Sequence, residues 1–129
     1  MIVLAIRTDK PQAELYLYDG PKRLQAIKWQ AHRELAETIH IRIKEILDKS
    51  SISLDQLGGV VIYKGPGSFT GLRIGFAVAN ALAYAQGISI AAAGGQDWIK
   101  TGLVNLSAGH FQPVTPDYGQ PPHITQPRK

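Results

Sequence analysis

Apolar residues along this chain change their spacing near residue 31. Before it they fall in short runs or alternate with polar neighbours. Ile2, Val3, Leu4, Ala5 and Ile6 are uninterrupted, as suits a strand covered on both faces. Thr8-Asp9-Lys10-Pro11-Gln12 has turn chemistry. Residues 13–18 are rich in strand formers and end at Asp19-Gly20, a strong hairpin signal. Residues 23–30 alternate, with Leu24, Ala26, Ile27 and Trp29 as the apolar members. The first thirty residues therefore predict three antiparallel strands in a meander.

Helical spacing follows. Over residues 33–48 the positions Leu35, Ile39, Ile43, Ile46 and Leu47 recur in mostly three- and four-residue steps, the mark of an amphipathic helix. Ser50-Ser51-Ile52-Ser53 breaks it, and Ser53 can cap a short turn through Leu57. Val60-Val61-Ile62-Tyr63 then predicts a buried strand, and residues 64–68 a sharp turn. A long helix is expected from Phe69 to Gln86, closed by Gly87. Residues 88–92 predict a fifth strand and 96–106 a last helix. The region beyond, rich in Pro, Gly, Gln and His, predicts an extended strap or a disordered tail. The domain plan is thus one lobe over residues 1–106 and a tail over 107–129. Its class is α/β: a five-stranded mixed sheet with three antiparallel and then parallel strands, joined by right-handed crossovers and carrying helices on its faces. This is the ribonuclease-H-like plan shared by actin and sugar kinases.

The second long helix departs from the usual amphipathic pattern. Between residues 70 and 86 only Thr70, Arg73, Asn80 and Gln86 are clearly polar. Gly71, Gly75, Ala79 and Ala83 form one four-residue series of small side chains, and Ala77, Ala81 and Ala85 a second. A helix apolar nearly all round is expected to be covered on both sides. The sheet covers one side; the other is left for the neighbouring helix or for a second protein.

Ahead of it stands Gly65-Pro66-Gly67-Ser68-Phe69-Thr70-Gly71-Leu72-Arg73-Ile74-Gly75. A strand running into a glycine-rich turn and a helix start can hold an anion, with Gly67, Ser68 and Thr70 as the candidate residues. The same residues equally serve as a tight turn and a helix cap. No lysine follows Gly71 as a Walker A loop requires, the dinucleotide glycine spacing is missed by one, and Pro66 and Thr70 flank Ser68 where a nucleophile elbow needs small residues.

Composition narrows the chemistry. Apolar residues make up 44% and charged residues 19% of the 129, ordinary for a globular domain. With no cysteine, disulfides, Cys-ligated zinc and thiolate nucleophiles are excluded. The four histidines show no metal spacing, so the expectation is no metal site, no catalytic residue and no resident cofactor. The net charge of +4 is partly local, in Lys22-Arg23 and Arg128-Lys129. No basic stripe interleaved with aromatics suggests direct nucleic-acid readout. Lack of a signal-peptide pattern and of a membrane-length apolar run leads to an expected cytoplasmic location.

The eleven-residue segment 65–75 resembles the signature of the TsaB (YeaZ) family. Other segments are similar in register: residues 1–8 to that family's opening strand, Ala31-His32-Arg33-Glu34-Leu35 to its helix start, residues 54–63 to the approach to the signature, and Pro116-Asp117-Tyr118 with the final basic residues to its C-terminal end. The resemblance covers about residues 1–105 and implies an actin-like (ASKHA) lobe that does not itself catalyse. It implies pairing with the catalytic paralogue TsaD through first-lobe helices, with the ATPase TsaE joining the assembly. The assembly places threonylcarbamoyl on adenosine 37 of tRNA (t6A), so tRNA is met indirectly and no membrane is involved. Alone, such proteins form homodimers. The expected partner-binding residues are Leu35, Ile39, Phe69, Leu72, Arg73, Gly75, Phe76, Ala79, Asn80 and Ala83, with an adenine nucleotide expected only at a subunit interface.

Two departures from the family pattern stand out. The short stretch before Pro116 leaves no room for the family's second lobe, so a shortened form is expected. Arg7-Thr8-Asp9 replaces the opening Asp-Thr-Ser/Thr, placing a cation where active members of the fold carry a carboxylate. The alternatives are an ATP-hydrolysing or glycoprotease-like enzyme and a regulatory homodimer.

Overall fold

The computed structural model describes residues 1–106 and 109–117. In chain order the elements are β1 (Ile2–Arg7), β2 (Gln12–Asp19), β3 (Lys22–Gln30), α1 (Leu35–Lys49), β4 (Leu57–Tyr63), α2 (Phe69–Gln86), β5 (Ser89–Ala93) and α3 (Trp98–Leu106). Single 3-10 turns at His32–Glu34 and Leu54–Gln56 precede α1 and β4. The sheet runs β3-β2-β1-β4-β5. Its β1–β2 and β2–β3 pairs are antiparallel, whereas β1–β4 and β4–β5 are parallel. The direction of pairing thus changes at β1.

The uninterrupted apolar run of β1 is explained by layers on both sides. Leu4 and Ile6 point into a core shared with Ile39 and Ile46 of α1 and Leu72 and Phe76 of α2. Val3 and Ala5, one residue out of phase, join Val61, Trp98 and Leu106 beneath α3. The heptad-like stripe of α1 is buried at the five expected positions, Leu35, Ile39, Ile43, Ile46 and Leu47.

Local chemistry marks the boundaries. Ser53 and Gln56 form a reciprocal capping box before β4. Ser68 caps α2, and Gly87 ends it in the left-handed conformation at φ 65°. Several bounds differ from expectation. The first helical stretch opens as a separate 3-10 turn, because Glu34 at φ −102° and ψ 15° interrupts the helical conformation. Gly58 and Gly59 belong to β4 rather than leading into it, and α3 begins at Trp98 rather than residue 96.

Of the expected tail, residues 109–117 form a strap along β5 and α2. The Ile90 N–H donates to the His110 carbonyl at 2.8 Å, and the Asp117 N–H donates to the Lys64 carbonyl at 2.7 Å. The rest of the tail lies outside the described residues.

Candidate functional site

The signature turn joins β4 to α2 at the carboxyl ends of the parallel strands, where open α/β sheets place their sites. Its glycines are there because the end of β1 presses against them. The Ser68 N–H donates to the Asp9 carbonyl at 2.7 Å, and a side chain at Gly67 would meet Asp9. One turn further, the Thr8 hydroxyl donates to the Gly71 carbonyl at 2.8 Å. A Cβ at Gly71 would strike the Thr8 carbonyl, and one at Gly75 the Thr8 hydroxyl. The four-residue glycine step therefore tracks one helix face lying directly on Thr8.

This geometry bears on the anion reading. The Ser68 N–H is committed to Asp9, and the Gly71 N–H donates to Ser68 Oγ at 3.3 Å. Two donors of this helix start are thus spent inside the chain. Gly67, Ser68 and Thr70 themselves stand exposed, beside a 250 Å³ hollow that Lys10, His32 and Arg33 help to line.

On the opposite sheet face, Arg7 takes the place of the expected carboxylate. Its guanidinium holds both Asp9 oxygens, at 2.8 and 3.2 Å, and lies 3.9 Å over the Tyr63 ring. Burial pulls the Arg7 group down, but hydrogen bonding to Asp9 and its negative charge outweigh this and leave it raised. Asp9 lies in the bend just beyond the end of β1, and that bend brings its carboxylate onto Arg7, a pairing that strand periodicity does not announce. Nearby, the Tyr16 hydroxyl donates to Glu14 at 2.6 Å, and Lys10 lies 3.4 Å from the same carboxylate. Burial pushes the Tyr16 phenol well up from its usual 10.0, and the Glu14 hydrogen bond and charge add to this. The Asp9 and Glu14 carboxylates are thereby engaged. Among the described residues no group of three His, Cys, Asp or Glu is placed to hold a metal.

The expected partner-binding residues divide sharply. Leu35, Ile39, Leu72, Gly75, Phe76, Ala79 and Ala83 are buried in this lobe alone, with Ala79 at 0% exposure. They are core, and a partner cannot reach them: Leu35 and Ile39 lie on the buried stripe of α1, and Leu72, Gly75, Phe76, Ala79 and Ala83 on the buried face of α2. Asn80 is likewise engaged within the chain: its side-chain amide bonds both the N–H and the carbonyl of Val114 at 2.9 Å. Only Phe69 and Arg73 of the expected set are exposed, the guanidinium 5.5 Å from the ring.

The second small-residue series is the one that faces outward. Ala77, Ala81 and Ala85 are exposed, together with Phe69 and Tyr84, the latter at 91%. Beside them the half-buried Val78 and Leu82 descend into a groove of 630 Å³ whose other wall is Ile43 and Leu47 of α1. His40, Lys44 and Asp48 line it as well. Ile41, on α1, is also exposed. This is an apolar surface of helix backbone and small side chains, fit for close helix–helix packing rather than for bond-making chemistry.

Comparison with known proteins agrees with the signature. The family model described as TsaD, tRNA N6-adenosine threonylcarbamoyltransferase, matches residues 29–93, half of the chain. The tRNA threonylcarbamoyladenosine biosynthesis protein TsaB of Buchnera aphidicola subsp. Schizaphis graminum is 33% identical over 89 residues, 69% of this chain and 42% of that protein. The tRNA N6-adenosine threonylcarbamoyltransferase of Nitrosomonas eutropha is 31% identical over 106 residues, 70% of this chain and 31% of that protein. Among solved structures, YeaZ from Pseudomonas aeruginosa superposes with a TM-score of 0.67 at 25% identity, covering 72% of this chain and 43% of the other. The chain therefore spans less than half the length of these relatives. Its sheet order, its helix layers and this superposition make it a ribonuclease-H-like, actin-like lobe. By signature, family model and fold together, the chain belongs to the threonylcarbamoyltransferase-related family on its TsaB/YeaZ side.

Proposed function

We propose that this chain is a non-catalytic docking subunit that binds and activates a TsaD-type threonylcarbamoyltransferase in t6A modification of tRNA. The observation that carries it is the outward face of α2. Ala77, Ala81, Tyr84 and Ala85 form an exposed apolar strip beside the α1–α2 groove. Small side chains let a second pair of helices approach closely, so a TsaD-type lobe of like fold is the natural occupant. The same face serves a homodimer when that partner is absent.

Engaged carboxylates support the non-catalytic part of the reading. Asp9 is held by Arg7 and Glu14 by Tyr16 and Lys10, which leaves neither poised as a general base or metal ligand. Any adenine nucleotide is proposed to bind only at the subunit junction, with Gly67, Ser68 and Thr70 as this chain's contribution. TsaE joins through the assembly, tRNA is met through the partner, and the setting is the cytoplasm.

The test is to mix the purified chain with a TsaD-type enzyme and measure mass by light scattering after size exclusion, then t6A formation. A complex with stimulated transfer is expected. Absence of any complex overturns the reading. ATP turnover by the chain alone would favour the enzymatic alternative, to which the catalytic name of the matching family model lends weight.

A further inference from the structure

The strap is held mainly by main-chain recognition. It starts on the open edge of β5, where the Ile90 N–H meets the His110 carbonyl at 2.8 Å. Midway, Asn80 of α2 donates Nδ2–H to the Val114 carbonyl and accepts the Val114 N–H through Oδ1, both at 2.9 Å. A side-chain amide offers the same donor–acceptor pair as a peptide unit, so Asn80 reads the strap as a neighbouring strand would. The strap then reaches the signature turn, where the Asp117 N–H meets the Lys64 carbonyl at 2.7 Å. There the Asp117 carbonyl fills the space in which a side chain at Gly65 would stand, and Gly65 has φ 97°.

Side chains contribute less. Val114 is half-buried against the main core, whereas Phe111, Pro113 and Thr115 are exposed. Such a segment can leave without opening the core, and it meets the outer edge of β5 through one main-chain bond, from Ile90 to His110.

We infer that Asn80 and the outer edge of β5 form a main-chain-reading site for one extended peptide segment, occupied by residues 110–117, and that seating there holds the turn at residues 64–68. Asn80 is the latch. Because it takes the main chain rather than particular side chains, the site accepts the strap through its extended shape and its freedom from competing structure. This inference is tested separately from the docking proposal, since it concerns the chain alone.

The experiment is hydrogen exchange by mass spectrometry on the full chain and two variants. Asn80→Ala removes both bonds to Val114 while leaving a good helix former. Val114→Pro removes the strap's own N–H and leaves α2 untouched. With net values of order 1 kcal/mol per neutral hydrogen bond, each variant is expected to speed exchange over residues 110–117 by roughly 5–30-fold. Exchange at Ile90 and at residues 64–68 should rise with it, while α1 and β1–β3 stay unchanged. Unaltered strap exchange in both variants overturns the latch. Strap release with an unmoved turn overturns the coupling. Should Asn80→Ala loosen α1 as well, Val114→Pro alone decides.

Discussion

The Thr8 side chain occupies the space that a side chain on Gly75 would need: a Cβ there would lie 3.1 Å from both Thr8 Cβ and Cγ2 and closer still to its hydroxyl. Thr8 is 1% exposed and donates to Gly71, so it has nowhere to move. Alanine inside a helix normally stabilises relative to glycine, yet Gly75→Ala is expected to cost about 1–3 kcal/mol by overpacking. Adding Thr8→Ala should recover part of that loss. Urea unfolding of the two single variants and the double variant checks it, and simple additivity would remove the contact from the account.

The two faces of α2 predict opposite outcomes for one kind of change. Ala79→Glu places a charge at a fully buried position and should unfold the lobe. Ala81→Glu, two residues on, points to solvent at the rim of the groove. It should leave the melting temperature within a few degrees, since surface changes are usually within about 0.5 kcal/mol. It should nevertheless abolish association with the TsaD-type partner. Undiminished co-elution of the Ala81→Glu protein would rule out this face as the interface.

Arg7 and Asp9 form a pair whose carboxylate side chain is only 8% exposed. Arg7→Met leaves that carboxylate without its cation and removes a cation from the Tyr63 ring. A loss of about 1–3 kcal/mol is expected, below the value for a fully buried pair because the Arg7 side chain retains 22% exposure. The double change Arg7→Met with Asp9→Asn should restore most of it. Denaturant midpoints measured across the cycle decide, and a double variant as weak as Arg7→Met alone would show that the ion pair is not the cause.

Tyr16 predicts an alkaline limit to stability. Its phenol is raised above the ordinary 10.0 in the folded chain by burial and by Glu14, so above that pH the unfolded chain releases a proton that the folded one retains. Stability conferred by the neutral phenol is therefore present below pH 10 and declines as pH climbs beyond it. Absorbance titration of the five tyrosines should show at least one ionising late, with unfolding. In Tyr16→Phe that late step should vanish. Its persistence would assign the step to another residue.

How much of this was legible beforehand depends on the kind of signal. The stripe of α1, the capping serines, the Asp19-Gly20 turn and the double-faced apolar run of β1 are local patterns, and each maps onto an observed element. The glycines of residues 65–75 announced a tight turn, and their sequence resemblance led to the family. What they did not announce was the object they accommodate, because Thr8 lies 63 residues along the chain from Gly71. Asn80 read as a polar residue on a docking face, for no local pattern relates it to Val114.

By itself, the chain of residues determined the succession of strands and helices, the sheet plan and the family, since periodicity, caps and turn chemistry act over a few positions. Only the tertiary structure decided which small-residue series of α2 is interior and which meets a partner. An almost wholly apolar helix carries no polar face to orient it, so its rotation is set by what it docks against. Here that is Thr8 at the end of β1, whose bulk admits only glycine beneath it and turns the Ala77, Ala81 and Ala85 edge toward solvent.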